Sequence, residues 1–175
     1  MTLWDKGRDN LILFTVDLRS DRVEIMEIDV ITRLQMKMSE ILAKRPVMVA
    51  YLYGSAAEGN MSPSSDVDIG LVFDPKCGLS AYERMQIEFT IANEIEHGCG
   101  IREADVRSID NAPLTVQGMV VSEGIILYSR SEEFRVEYEV RTRKHYFDFL
   151  PVVEMMRDSF FQQLQKEGFG NGKTR

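Results

Sequence analysis

The sequence predicts a single domain of the mixed α/β class, and three observations lead to that prediction. A chain of 175 residues with a hydrophobic fraction of 44% is long enough and apolar enough to bury one core. Short apolar runs, of which residues 47–53 are the clearest, have the length and the β-branched and aromatic content of strands. Between them lie longer stretches with apolar residues at three- and four-residue spacings, which indicate amphipathic helices.

Charge and cysteine content exclude several classes of protein. A net charge of −7 argues against broad, sequence-independent binding of nucleic acid, so no direct nucleic-acid partner is expected. The two cysteines fit neither a zinc spacing nor a disulfide scaffold, which predicts reduced thiols in a cytoplasmic protein. No apolar run approaches the roughly 18 residues of a membrane span, and the apolar N-terminal stretch contains acidic residues, unlike a signal peptide. We therefore expect a soluble protein without a membrane partner.

The N-terminal residues are expected to form an extension of their own. Two strand-like runs, residues 11–18 and 22–28, are separated by a short polar turn, which predicts a hairpin. This extension could be an edge hairpin, a contact between copies in a homo-oligomer, or sequence upstream of a start at Met26. The predicted division is an N-terminal extension over residues 1–27, a main domain over residues 28–167, and a disordered, glycine-rich tail over residues 168–175.

Helices and strands alternate along the main domain. Residues 29–45 have a helical apolar stripe, with Asp29 placed to cap the helix and Pro46 to end it. Ser80 and Glu83 form a capping-box pattern at the start of a later helix. The other predicted elements are a helix over residues 81–97 with Met85, Phe89, Ala92 and Ile95 on its inner face, strands over 101–109 and 125–128, a short helix over 113–123, and a helical segment over 131–165 that is interrupted at Pro151.

The stretch over residues 47–73 carries the candidate chemistry. Gly54 and Ser55 end an apolar strand. Turn-forming residues follow up to Ser65, and Asp66 and Asp68 then open a second strand. Because side chains alternate along a strand, both aspartates are expected on one face.

Two carboxylates on one strand face repel each other, so such a pair needs a proton or a cation. Their hard oxygen atoms favour Mg²⁺ or Mn²⁺. A Gly-Ser turn lets the backbone approach a phosphate closely and offers a hydroxyl donor. A phosphate site and a metal site within one hairpin-sized unit predict phosphoryl or nucleotidyl transfer.

The spacing of these residues resembles that of a known family. Gly54-Ser55, ten further residues and Asp66-Val-Asp68 resemble the GS-x10-D-x-D signature of the DNA polymerase β-like nucleotidyltransferases, above all the minimal nucleotidyltransferase (MNT) group. The resemblance covers roughly residues 28–150. It implies a polymerase β-like α/β (α+β) fold, with a mixed central sheet flanked by helices and a C-terminal helical segment.

The resemblance also implies a third carboxylate on the neighbouring strand, and Asp105 matches it. Asp110 is the weaker candidate, and its expected role is to cap the helix after Pro113. The implied residues are, for catalysis and metal binding, Asp66, Asp68 and Asp105 and, for nucleotide binding, Gly54, Ser55 and Ser65.

The implied function is metal-dependent transfer of AMP from ATP to a hydroxyl acceptor. Two Mg²⁺ ions (or Mn²⁺) would bind the carboxylates and the triphosphate, and Asp105 would help to deprotonate the hydroxyl. MNT proteins are often antitoxins, so the implied acceptor is a tyrosine of a HEPN toxin partner. One departure is Glu58, which stands where the MNT loop often has an arginine.

Two alternatives stay open. One is a small-molecule nucleotidyltransferase of the aminoglycoside-modifying kind, with which the acidic composition is compatible. The other is a non-catalytic antitoxin that binds and occludes its partner, with activity lost through Glu58.

Overall fold

The computed structural model describes residues 12–17, 22–27, 30–59 and 66–167, with side chains over residues 31–59 and 66–164. The predicted nucleotide-binding residue Ser65 and the predicted disordered tail lie outside the described residues. The elements in chain order are β1 (Ile12–Asp17), β2 (Arg22–Glu27), α1 (Val30–Leu42), β3 (Val47–Tyr53), a 3₁₀ turn (Gly54–Ala56), β4 (Val67–Phe73), α2 (Ala81–Cys99), β5 (Ala104–Ser108), α3 (Leu114–Glu123), β6 (Ile125–Ser129) and α4 (Glu132–Glu167).

A four-stranded mixed sheet with the order β5-β4-β3-β6 forms the centre of the domain. β3 pairs antiparallel with both β4 and β6, and β4 pairs parallel with β5. Helices cover both faces of the sheet, so the predicted mixed sheet flanked by helices is confirmed. β1 and β2 pair with each other in a separate antiparallel sheet.

Each face of the central sheet has its own apolar core because strand side chains alternate. The larger core joins Ala50, Leu52, Val67, Ile69, Leu71, Ala104 and Val106 of the strands to Leu34 and Met38 of α1 and Ile91 and Ile95 of α2. The smaller core joins Val49, Tyr51 and Val72 of the strands and Ile109 to Val120 and Val121 of α3 and Tyr138 of α4. Asp68 and Asp105 alternate with residues of the larger core, so they lie on the face that carries α3 and α4.

α4 is anchored to this second face by a buried carboxylate. The Oε1 atom of Glu139 accepts hydrogen bonds from the hydroxyl of Tyr51 at 3.1 Å and from Nη1 of Arg135 at 2.9 Å. The other oxygen lies 3.4 Å from Nη1 of Arg143. A buried charge is tolerated when it is paired and hydrogen-bonded in this way.

The capping box of α2 is present as predicted. Ser80 Oγ accepts from the amide of Glu83, and the Glu83 carboxylate accepts from the amide of Ser80 at 2.8 Å. These hydrogen bonds lower the pKa of the Glu83 carboxyl, because they favour its charged form. The helix ends at Gly100, whose φ of 63° is left-handed.

The predicted inner face of α2 is wrong for two residues. Met85 is 50% exposed and Phe89 is 71% exposed, whereas Ile91 and Ile95 are buried. The reason is that α2 caps the edge of the sheet with a polar side chain: Glu88 accepts a hydrogen bond from the amide of Ser108 at 2.8 Å. That orientation of the helix turns Met85 and Phe89 away from the core.

The predicted interruption at Pro151 is also wrong, because α4 continues through it to Glu167. Proline removes one hydrogen bond from the helix and leaves the carbonyl of Phe147 without its usual donor. Phe147, Pro151 and Val152 are exposed, so water can solvate that carbonyl.

None of the helices in the described ranges is long and apolar enough to cross a bilayer.

Asp110 does not cap α3, so the expected role of this residue as a helix cap is wrong. The N-cap of α3 is Pro113, and no side chain donates or accepts there. The carboxylate of Asp110 instead accepts from Nη1 of Arg84 at 2.6 Å, and the Arg84 guanidinium lies 4.9 Å from the ring centre of Phe73. Asp110 thus ties the segment after β5 to α2.

Candidate active site

Two of the predicted carboxylates lie side by side on the sheet. In the parallel pairing of β4 and β5, Asp68 is directly opposite Asp105. In the antiparallel pairing of β3 and β4, Asp68 is opposite Tyr53. The structure therefore forms a row of Tyr53, Asp68 and Asp105 across three strands. Asp66 immediately precedes β4 and is exposed.

The electrostatics of this row show an excess of negative charge. Burial raises the pKa of the Asp68 carboxyl, and the charges of Asp105 and Asp66 raise it further. Burial also raises the pKa of the Tyr53 hydroxyl, with added contributions from Asp68 and Asp105. Asp68 is thus within electrostatic reach of both other carboxylates.

The Gly-Ser turn is in direct contact with Asp68. Gly54 has a φ of +68°, and a Cβ atom at this position would lie 2.4 Å from Oδ2 of Asp68. The carbonyl of Gly54 accepts from the amides of Ala57 at 3.0 Å and Glu58 at 3.2 Å, which closes the turn. Ser55 is half-buried within it. Only glycine combines this backbone conformation with so close an approach of the carboxylate.

Gly54→Ala should therefore impair divalent-cation binding in addition to straining the backbone. We expect a loss of about 1–2 kcal/mol in the free energy of unfolding from the left-handed conformation, together with displacement of Asp68 and loss of divalent-cation binding. Urea denaturation and Mn²⁺ titration measure the two effects. Gly78→Ala is the matched control, because Gly78 has a φ of +63° and nothing within 4 Å of an added Cβ. Equal loss of Mn²⁺ binding in both variants would contradict this account.

An arginine that the sequence analysis missed contacts the third carboxylate. Nε of Arg107 donates to Oδ1 of Asp105 at 2.8 Å. Its charge partly offsets the raised pKa of Tyr53, so it acts on the same end of the sheet. Tyr53 is a second residue of the site that the sequence analysis did not single out. Both were identifiable in principle: Arg107 is two positions beyond Asp105 and so on the same strand face, and Tyr53 directly precedes Gly54.

The donor chemistry of the site fits a divalent cation. Carboxylate oxygens are hard ligands, and burial together with the charges of Asp105 and Asp66 raises the pKa of the Asp68 carboxyl. Within the described residues, however, no three acidic, histidine or cysteine side chains are grouped closely enough to form a metal ligand set. The contact between Asp105 and Arg107 shows that one oxygen of the third carboxylate is directed to a guanidinium.

Comparison with known proteins identifies the family. A family model described as "Polymerase beta, Nucleotidyltransferase" matches residues 36–133, which is more than half of the chain. The chain belongs to the polymerase beta nucleotidyltransferase family. The matched residues contain the Gly-Ser turn and all three candidate carboxylates, so the predicted class of enzyme, a nucleotidyltransferase, is confirmed. No curated protein matches the chain.

Several solved structures share the fold of this nucleotidyltransferase. A toxin–antitoxin complex with AMP-PNP matches with a TM-score of 0.59 and 19% identity over 73% of this chain and 98% of the matched chain. The MntA-HepT toxin–antitoxin complex matches with a TM-score of 0.54 and 17% identity over 73% and 97%. A tri-AMPylated Shewanella oneidensis HEPN toxin in complex with its MNT antitoxin matches with a TM-score of 0.55 and 17% identity over 73% and 96%. The predicted resemblance to the MNT group is thereby confirmed at the level of the fold.

Proposed function

We propose that this nucleotidyltransferase transfers AMP from ATP to a tyrosine hydroxyl of a HEPN toxin and so acts as its antitoxin. The observation that carries the proposal is the position of Asp68. It touches the Gly54 turn on one side and lies opposite Asp105 on the other. The turn proposed to bind phosphate and two of the carboxylates proposed to bind the cation therefore meet at one residue.

Asp66, Asp68 and Asp105 are the residues that would hold Mg²⁺ or Mn²⁺. When bound, the cation neutralises charge on the triphosphate and lowers the pKa of the attacking hydroxyl. The two hydrogen bonds that close the turn do not use the amides of Ser55 and Ala56. These two amides and the Ser55 hydroxyl bind phosphate oxygens.

The reaction needs one proton transfer. The tyrosine oxygen of the acceptor forms a bond to the α-phosphorus of ATP while the bond from that phosphorus to pyrophosphate breaks. A carboxylate oxygen of Asp105 accepts the hydroxyl proton. Holding the hydroxyl and the phosphate in line supplies most of the remaining rate.

The toxin as acceptor is supported by the comparisons. The three structures described above are toxin–antitoxin complexes, of which one contains AMP-PNP and another contains a tri-AMPylated toxin. The chain covers 98% and 96% of the matched chains in these two structures. The cytoplasmic location and the absence of direct nucleic-acid contact stay predictions.

Asp66→Asn separates chemistry from occlusion of the toxin. Asp66 is exposed and precedes β4, so this change removes one negative ligand with little effect on folding. After incubation with a HEPN toxin, ATP and Mg²⁺, intact mass spectrometry should show AMP additions on the toxin with the wild type. With the variant, AMP additions and protection from the toxin should both be lost. Full protection by a variant that leaves the toxin unmodified would favour the occluding antitoxin and contradict the proposal.

A further inference from the structure

Among the described residues, Arg107 is the one arginine or lysine that forms an ion pair with Asp66, Asp68 or Asp105. Its partner Asp105 belongs to a set of three carboxylates, and Glu58 adds a further negative residue to the adjoining turn. We propose that Arg107 is a displaceable counter-ion: it holds Asp105 until a divalent cation binds, and its guanidinium then binds the phosphates of the nucleotide. This inference rests on the proposed function of the site.

The ion pair between Arg107 and Asp105 can be exchanged at low cost. The Arg107 side chain is 65% exposed and that of Asp105 is 46% exposed. Exposed pairs of this kind contribute little to stability because water screens both charges. A divalent cation attracts a carboxylate more strongly than one arginine does, so the cation can take over the oxygen that Arg107 now contacts.

Arg107 is placed to reach a nucleotide after this exchange. It lies opposite Gly70 of β4. Along β5 it is two residues further than Asp105, and therefore next to the row of Tyr53, Asp68 and Asp105 on the same face of the sheet. Its charge acts on Tyr53, which immediately precedes the Gly-Ser turn. Ile109 and Val120 pack over Gly70, so the Arg107 side chain extends along the edge strand β5 toward Asp105.

The charge balance of the site also favours a role for a positively charged side chain. A triphosphate and three carboxylates together carry more negative charge than divalent ions at the site would neutralise. Glu58 cannot supply the missing positive charge from within the turn. A guanidinium is suited to this role because its planar donors bind two phosphate oxygens at once.

The proposal predicts opposite effects of Arg107→Ala on two affinities. Without nucleotide, the variant should bind Mn²⁺ about two- to fivefold more tightly, because the competing ion pair is gone. With saturating Mn²⁺, it should bind a non-hydrolysable ATP analogue about tenfold more weakly, because a charge-assisted contact is lost. Arg107→Lys keeps the positive charge but loses the planar guanidinium. Its affinity for the analogue should fall between those of the wild type and Arg107→Ala. Electron paramagnetic resonance of free Mn²⁺ and calorimetry measure these affinities.

Two further variants make the outcome decisive. Arg157→Ala removes an exposed arginine that pairs with Asp158 on α4 and should change neither affinity. If Arg107→Ala binds Mn²⁺ no more tightly than the wild type, or binds the analogue equally well, the inference is wrong. Asp68→Asn distinguishes this failure from that of the proposed function. Mn²⁺ binding that does not depend on Asp68 overturns both, whereas binding that depends on Asp68 but not on Arg107 overturns this inference alone.

Discussion

Asp68→Asn should slow AMP transfer severely while leaving the fold intact. The change replaces a charged ligand by a neutral one at the residue that joins the turn to the other carboxylates. We expect the rate to fall by at least about 10²–10³-fold, the order found when one electrostatic stabiliser of a transition state is removed. Pyrophosphate release and the intact mass of the acceptor measure the rate. Asp158→Asn, on the exposed surface of α4, is the control and should retain full activity.

The same substitution should stabilise the metal-free protein. Burial and two neighbouring charges raise the pKa of Asp68 in the folded state, so its ionised form is unfavourable there. Between the unfolded and the folded pKa values the native state binds more protons, so the free energy of unfolding decreases as pH rises through this window. At neutral pH the full penalty applies, and Asp68→Asn removes it. A lower melting temperature for the variant without metal, or a gain equal to that of Asp158→Asn, would contradict this explanation.

Glu139→Ala should cause the largest loss of stability. The carboxylate is buried and joins Tyr51 of β3 to Arg135 and Arg143 of α4. Its removal leaves the buried hydroxyl of Tyr51 without its acceptor and Arg135 short of one partner. Removing one member of a buried charged group costs about 3–5 kcal/mol, a large fraction of the stability of a domain of this size. Urea denaturation at neutral pH measures the change in the free energy of unfolding.

The control for Glu139 is Glu132, which is the other carboxylate that pairs with Arg135. The Glu132 side chain is 70% exposed, so Glu132→Ala should cost no more than about 1 kcal/mol. Both variants remove one negative charge from α4 and one partner from the same arginine, and they differ in burial. Similar losses for the two variants would show that burial of Glu139 does not determine the stability of this contact.

The local elements of the fold were predictable because each depends on neighbouring residues. The apolar run over residues 47–53 coincides with β3, and the pattern of Ser80 and Glu83 forms the predicted capping box. The alternation of Asp66 and Asp68 with apolar residues indicated that the carboxylates lie on the strand face opposite to Val67 and Ile69. Spacing alone contained this information.

The features that sequence analysis missed depend on tertiary contacts. The burial of Glu139 follows from the docking of α4 on β3, and nothing in its helical neighbours indicates it. Asp110 pairs with Arg84 across 26 positions rather than capping the nearest helix. Pro151 was expected to interrupt α4, yet the exposed surroundings of the helix tolerate it. Arg107 is the exception, because its spacing of two residues from Asp105 already places it on the same strand face.

The most direct test of the active-site assignment is anomalous diffraction from crystals grown with Mn²⁺ and a non-hydrolysable ATP analogue. The assignment predicts a manganese peak bound by oxygens of Asp66, Asp68 and Asp105, with the phosphates of the analogue against the turn at Gly54 and Ser55. A nucleotide bound elsewhere on the chain, or a manganese peak that none of these carboxylates contacts, would contradict it.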